Sequence, residues 1–328
     1  MARRIEGTTV VVTGASSGIG RATALAFAGE GANVVLAARR AELLDALALE
    51  CRAAGGRALA VPTDVTDAAA VGKLAEAALA RFGAVDTWVN VAGTGVFGPY
   101  EQADVDLHRR TIEVNLIGAM NGAAAALPIF KRRGRGVLVS TVSMGGWAPV
   151  PFAAAYTASK FGLRGFNASL RQQFEAREDI HVCGVFPAMV DTPGLEHLAN
   201  ASGKRIDPGP FLYTAGDVAS AILGVARHPR GEVAVGWPAR AGQAAYALSP
   251  RLTELATGAL FRWLVRRAGP APRTEGALRA PIPAGTTASG GALARKGLPS
   301  AGPISLGLAV AGLAVLAGAV LAAERRAD

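Results

Sequence analysis

The chain has 328 residues, of which 51% are hydrophobic and 18% charged, with a formal net charge of +9. This suffices for one large α/β domain plus additional segments, and it excludes a disordered polyelectrolyte. Two cysteines exclude a disulfide-stapled scaffold.

The positive charge is uneven. Arg251, Arg262, Arg266, Arg267, Arg273, Arg279, Arg295 and Lys296 are opposed only by Glu254 and Glu275 within that stretch. The body before it is nearly balanced, so a nucleic-acid partner is not expected. Basic residues next to an apolar segment point instead to a membrane surface. A strand is expected almost at the start, leaving no room for an apolar leader, so the folded part is expected in the cytoplasm.

From residue 8 to about 240, short β-branched runs alternate with Ala-rich helical stretches. Strands are predicted at Thr9–Thr13, Asn33–Ala37, Arg57–Pro62, Thr87–Val91, Gly136–Ser140, His181–Phe186 and Glu232–Gly236. Helices are predicted between them, among them Gly20–Glu30, Ala41–Ala54, Ala68–Phe82 and Ala154–Ala176. This alternation predicts a Rossmann-like, doubly wound parallel sheet with helices on both faces over residues 1–240.

Residues 241–267 are expected to form one or two helices after the sheet. Leu255, Ala256, Ala259, Leu260, Trp263 and Leu264 keep helical spacing, with Arg262, Arg266 and Arg267 on another face. Such a helix can lie on a membrane or pack on the domain with a solvated basic side. Residues 268–303, rich in Pro, Gly and Ala, are expected to be a flexible linker. Residues 304–323 carry no charge and are long enough for a single membrane span; residues 324–328 form a short charged tail.

Thr13-Gly14-Ala15-Ser16-Ser17-Gly18-Ile19-Gly20 follows the first strand and opens the first helix. Glycines allow a sharp turn and close approach of a pyrophosphate, and the N–H groups opening the helix bind the anion. The second strand runs into Arg39-Arg40, two guanidiniums where an acidic residue would select an unphosphorylated ribose. This favours NADP(H) over NAD(H). Asp64-Val65 follows the third strand; its carboxylate can accept from an adenine amino group or cap the next helix, with Asp67 as a competing cap. Asn90-Val91-Ala92-Gly93 can bring main chain against the cofactor.

Tyr156 and Lys160 are four residues apart and share a helix face. A nearby ammonium favours a phenolate and lowers the tyrosine pKa, which suits proton exchange with a carbonyl or alcohol. The four histidines are scattered without ligand spacing, and no metal is expected.

These motifs, in this order, resemble the short-chain dehydrogenase/reductase family from about Gly7 to Gly236: Thr13-Gly14-x-x-x-Gly18-x-Gly20, Asp64, Asn90-Val91-Ala92-Gly93, Asn115, Ser143, Tyr156-x-x-x-Lys160, and Pro187 with Thr192. The resemblance implies that Tyr156 is the general acid/base. Lys160 lowers its pKa and holds the nicotinamide ribose. Ser143 holds the substrate oxygen, and Asn115 holds a water in a proton relay. Thr192 contacts the carboxamide, with Ile19 and Val190 beside the nicotinamide. Val91 and Ala188 depart from the usual Asn and Gly.

The implied reaction passes a hydride between NADP(H) and a small-molecule carbonyl or alcohol, in a homodimer or homotetramer. Trp147, Phe97, Phe152 and the segment from Gly194 to Tyr213 are expected to wall an apolar pocket, hinting at a lipophilic substrate. The rival readings are a membrane-tethered NADP-binding module without turnover, and a sugar-nucleotide epimerase or dehydratase.

Overall fold

A computed structural model describes residues 2–174, 179–207, 209 and 211–297. The central sheet has seven strands: β1 (Thr9–Thr13), β2 (Asn33–Ala38), β3 (Arg57–Pro62), β4 (Thr87–Asn90), β5 (Arg135–Thr141), β6 (Asp179–Pro187) and β7 (Glu232–Val235). All pairings are parallel and the spatial order is β7-β6-β5-β4-β1-β2-β3. β1, β2 and β4 are buried along their whole length. That burial explains their near-continuous Val and Leu content, because both faces of a parallel sheet are covered.

Helices α1 (Gly18–Gly29) and α2 (Ala41–Ala53), with α3 (Ala68–Phe82), connect the first strands; α4 (Val105–Ile112) and α5 (Gly118–Arg133) precede β5. α6 (Ala154–Phe174) precedes β6 and α7 (Ala215–Arg227) precedes β7. One core packs Phe27, Leu44, Leu47 and Ile222 of α1, α2 and α7 on one face of the sheet. A second packs Leu74, Ala126, Phe130 and Phe174 of α3, α5 and α6 on the other. Caps set the helix ends: Asp67 accepts from the N–H groups of Ala69 and Ala70, and Thr214 and Asp217 form a reciprocal capping box on α7. Asp67, not Asp64, is therefore the cap of α3. Cys51 and Cys183 are buried and uncrosslinked, and burial raises both thiols to about 11.

α4 and α5 are continuous through a π-helical turn at Glu113–Ile117, an element the sequence patterning did not separate. Among the described residues, Val105–Arg133 is the one stretch long and apolar enough to cross a membrane. Ala123, Ala126, Ile129 and Phe130 of this stretch lie in the core beside the sheet.

After β7 the chain forms two helices, α8 (Trp237–Leu248) and α9 (Pro250–Arg267), which pack on each other. Ala259 is the buried residue of α9, while Leu252, Leu255, Trp263 and Leu264 are exposed.

The stretch read from sequence as a flexible linker differs over its described part, residues 268–297. Thr274 pairs antiparallel with Asn200, and Lys204 with Pro270. Leu278 is fully buried against Val96, Leu107, Ala199 and Ala201. One anchoring leucine and a series of main-chain bonds leave no periodicity to detect, which is why composition alone suggested coil. The apolar run 304–323 and the tail 324–328 lie outside the described residues.

Candidate active site

The expected site residues gather at the carboxyl ends of the strands. β1 and β4 are neighbours where the strand order reverses, the crevice in which doubly wound sheets bind ligands. Thr13 Oγ1 accepts from the N–H groups of Val91 and Ala92, joining the two strand ends. Gly14 has φ +68°, and a Cβ there would lie 2.7 Å from the Ala92 nitrogen. A Cβ on Gly20 would strike the carbonyl oxygen of Gly14. Both glycines are thus required by close backbone contact, and the turn delivers the start of α1 to the cleft. Ser17, the N-cap residue, does not cap the helix with its side chain.

The cleft is lined by Gly14, Ser16, Ser17, Gly18, Ile19 and Gly20 of the turn. Arg39, Arg40, Asp64 and Val65 line it from the next two strand ends, and Ala92, Gly93 and Thr192 from the opposite side. Gly18 packs on Thr192, whose Cβ would be 3.4 Å from a Cβ at the glycine. Arg40 Nη2 donates to Ser16 Oγ at 3.1 Å, and both arginines line the cleft at the end of β2. Cationic donors beside an N–H-rich turn fit a phosphorylated dinucleotide.

Asp64 is already engaged. It accepts from the Thr66 N–H and hydroxyl and from Arg110 Nη2 at 2.9 Å. Burial pushes its carboxyl up, but the Thr66 bonds and the Arg110 and Arg39 guanidiniums outweigh this and hold it below its ordinary value. Asn90 is buried and braces the fold: it accepts from Trp88 Nε1 at 3.0 Å and donates to Ala119 O. Pro187 and Val190 are buried at the end of β6 and just after it.

Ser143 and Tyr156 lie together. Ser143 holds φ +102°, a conformation rare for a residue with a side chain, and its Oγ accepts from the Gly145 N–H at 3.2 Å. Ser143 is hydrogen-bonded to the Tyr156 hydroxyl. Gly145 adjoins both side chains; a Cβ there would lie 3.1 Å from the Tyr156 ring. Burial raises the Tyr156 phenol above its ordinary value, and the Ser143 bond pulls it only partly back. Lys160 is buried, its Nζ donating to Thr141 O at 2.9 Å and lying 5.6 Å from the Tyr156 ring centroid. Burial lowers its ammonium to about 8. The lowering expected from the lysine is not seen in the phenol, where burial is the largest influence.

Asn115 sits in the π turn, a local widening often found at functional positions. Its side chain is fully committed: Nδ2 donates to Thr94 O at 2.8 Å and Ser159 Oγ at 3.0 Å, and Oδ1 accepts from Thr94 N at 2.8 Å. A Cβ at Gly93 would lie 3.4 Å from Asn115 Oδ1 and 3.7 Å from Lys160 Nζ.

Thr94 and Ser159 were not singled out in the sequence; small hydroxyl and carbonyl partners leave no spacing signature. Among the described residues no group of three or more His, Cys, Asp or Glu side chains could hold a metal ion.

On the substrate side, Leu198 Cδ2 and Tyr156 Cδ2 would each lie 3.3 Å from a Cβ at Gly95, placing an apolar side chain beside the phenol. Trp147, expected in the pocket wall, is instead core. It stacks on Phe186 at 3.9 Å between centroids, is 2% exposed and donates to Glu232. His197, in the segment expected to wall the pocket, lines the dinucleotide cleft and contacts Ala284 O at 3.2 Å.

The family model described as short chain dehydrogenase matches residues 8–202. An uncharacterized oxidoreductase of Bacillus subtilis is 35% identical over 257 residues, covering 77% of this chain and 72% of the relative. A 3beta-hydroxysteroid dehydrogenase of Eggerthella lenta is 36% identical over 231 residues, covering 68% of this chain and 87% of the relative. A metagenomic short-chain oxidoreductase solved with NADP superposes with a TM-score of 0.61 at 32% identity, over 71% of this chain and 98% of that one. An alcohol dehydrogenase from Thermococcus sibiricus, solved with 5-hydroxy-NADP, gives a TM-score of 0.60 at 27% identity, over 69% and 95%. With its parallel sheet, its glycine turn and these matches, the chain belongs to the short-chain dehydrogenase family of oxidoreductases.

Proposed function

We propose that the chain is an NADP(H)-dependent reductase or dehydrogenase acting on a carbonyl or alcohol, with Tyr156 as the proton donor and acceptor. The observation that carries this reading is the pairing of Ser143 and Tyr156 beside buried Lys160, whose Nζ adjoins Gly93 in the wall of the cleft that also holds Arg39 and Arg40. The two superposing enzymes solved with NADP or 5-hydroxy-NADP support the phosphorylated cofactor.

Bound NADPH would supply the hydride to a carbonyl carbon. The Ser143 hydroxyl and the Tyr156 phenol hold the substrate oxygen and stabilise the charge that develops there. Tyr156 gives that oxygen its proton, and its raised value keeps it protonated and ready to donate. Lys160 holds the nicotinamide ribose and adds positive charge beside the phenol as the proton leaves. The side chain of Asn115 is spent on Thr94 and Ser159, so in this reading its part in a water relay falls to main-chain atoms of the π turn. Arg39 and Arg40 take the 2′-phosphate, and the turn from Gly14 to Gly20 takes the pyrophosphate. Apolar Leu198 beside the phenol favours a lipophilic substrate.

The test follows NADPH absorbance across a panel of apolar ketones and aldehydes, with Tyr156→Phe as control. Turnover abolished by that substitution supports the reading. NADPH binding without oxidation of any substrate would favour an idle binding module.

Attachment to a membrane forms part of the proposal. It is supported by the uncharged run 304–323 and by the exposed Leu252, Leu255, Trp263 and Leu264 of α9 on a helix that also carries Arg262, Arg266 and Arg267. The full chain is expected in the membrane fraction, and Leu313→Arg with Leu316→Arg is expected to release it. Retention of that variant would shift the anchor to α9.

A further inference from the structure

Besides the Arg40–Ser16 bond, the donors assigned above to the cofactor phosphates already have partners from the C-terminal segment. Arg39 Nη2 donates to Ala277 O at 2.6 Å. Arg40 Nη1 donates to Ile282 O at 3.2 Å and Ala284 O at 3.1 Å, and its Nη2 to Gly285 O at 3.3 Å. The Gly18 N–H donates to Thr287 O at 2.9 Å. Ala277, Pro281 and Ile282 form part of the cleft wall itself.

The segment is seated from both sides. At one end Leu278 is buried and Arg279 pairs with Asp104 at 2.6 Å. At the other, Asp191 accepts from the Ser289 hydroxyl and from the Ala292 N–H, each at 2.9 Å. Glycines permit the close fit: a Cβ at Gly276 would strike His197 O, and one at Gly285, which has φ +69°, would strike the His197 ring.

We infer that residues 277–287 are a built-in competitor of the dinucleotide, a strap whose carbonyls occupy the phosphate-reading donors and which must lift for the cofactor to bind. This rests on the reading of the cleft as the NADP(H) site. The chemistry favours exchange rather than a permanent block. A peptide carbonyl is a neutral acceptor, whereas an ionised phosphate offers the same guanidinium donors a full opposite charge and bidentate geometry. The strap therefore weakens the apparent affinity by the fraction of chains in which it is raised, without closing the site.

The test uses the full chain. Spin labels at Glu42→Cys and Thr286→Cys report the distance across the cleft mouth, and NADPH is expected to lengthen it. Gly276→Val with Gly285→Val alters only the strap, and its Kd for NADPH is expected to fall by about tenfold, as for an open state present in about one chain in ten. An unchanged or shortened label distance on saturation with NADPH, or an equal or weaker Kd in the folded double variant, overturns the inference. If the double variant does not fold, the label distance in the otherwise unaltered chain decides. Failure of NADPH to bind either form overturns the cofactor reading and the strap with it. Binding that leaves the strap in place overturns the strap alone.

Discussion

Lys160 directs its ammonium at the carbonyl of Thr141, 2.9 Å away, while the ring of Tyr156, one helical turn earlier, lies 5.6 Å from it. The two groups share a helix face, yet the nearer partner is main chain at the end of β5. Burial shifts both groups toward their neutral forms: the phenol is raised, and the ammonium is lowered to about 8.

Removing the phenol should stop the reaction without emptying the cleft. Tyr156→Phe is expected to lower kcat by about 10²–10⁴, the usual worth of a positioned acid or base, with NADPH affinity little changed. Ser143→Ala is expected to cost about 10²–10³ in kcat through loss of a donor to the developing oxyanion. Stopped-flow turnover and fluorescence titration of NADPH separate the two effects. A Tyr156→Phe enzyme with undiminished kcat would overturn the assignment.

The buried ammonium gives pH dependence of activity. In the reductive direction kcat/KM should decline as pH rises through about 8, where Lys160 loses its charge. Lys160→Arg, charged throughout this range, should remove that decline while retaining some activity. A decline at the same pH in Lys160→Arg would assign it to another group.

The same burial costs stability. Lys160 titrates lower in the folded chain than in the unfolded one, so between about 8 and 10.5 the unfolded state binds more protons and stability rises with pH. Below about 8 the penalty is present in full. Lys160→Met is expected to stabilise the protein at pH 7 by about 1–3 kcal/mol, from 1.36 kcal/mol per pKa unit less the lost bond to Thr141, and the gain should shrink toward pH 10. Denaturant melts at the two pH values check this, and a gain that grows with pH would contradict it.

Cofactor choice should reside in the two arginines. Loss of a charge-assisted bond to phosphate is worth about 1.5–3 kcal/mol, so Arg39→Ala or Arg40→Ala is expected to weaken NADPH by about 10–100-fold while changing NADH far less. The ratio of the two dissociation constants is the measurement. Equal losses for both cofactors would place the 2′-phosphate elsewhere.

Gly20→Ala should damage the turn itself, because its Cβ meets the Gly14 carbonyl with no side chain to yield. A destabilisation of about 2–4 kcal/mol is expected, together with loss of dinucleotide binding. Thermal unfolding and NADPH titration would show both, and a stable, binding-competent Gly20→Ala chain would mean that the turn relaxes.

Much of this molecule was legible in its residues. All seven main strands lie within a residue or two of where the β-branched runs place them, since burial on both faces demands long apolar runs. The glycine turn and the arginine pair were visible from their residue chemistry, whereas Ser143, Tyr156 and Lys160 were picked out by the resemblance to a family. Asn90 is a different case: its residue type suggested the cleft, but its side chain braces Trp88 and Ala119.

What the sequence by itself determined was the sheet, the two-faced helical cover and the motifs that mark the family, because these follow from local periodicity and from residues at fixed spacing. Only the tertiary structure decided that Lys160 faces Thr141, that Asn115 is spent on Thr94 and Ser159, that Trp147 is core, and that a Pro- and Gly-rich stretch lies across the dinucleotide cleft. Those features rest on main-chain carbonyls and single buried side chains brought together from distant parts of the chain, and such contacts leave no repeating mark in the order of residues.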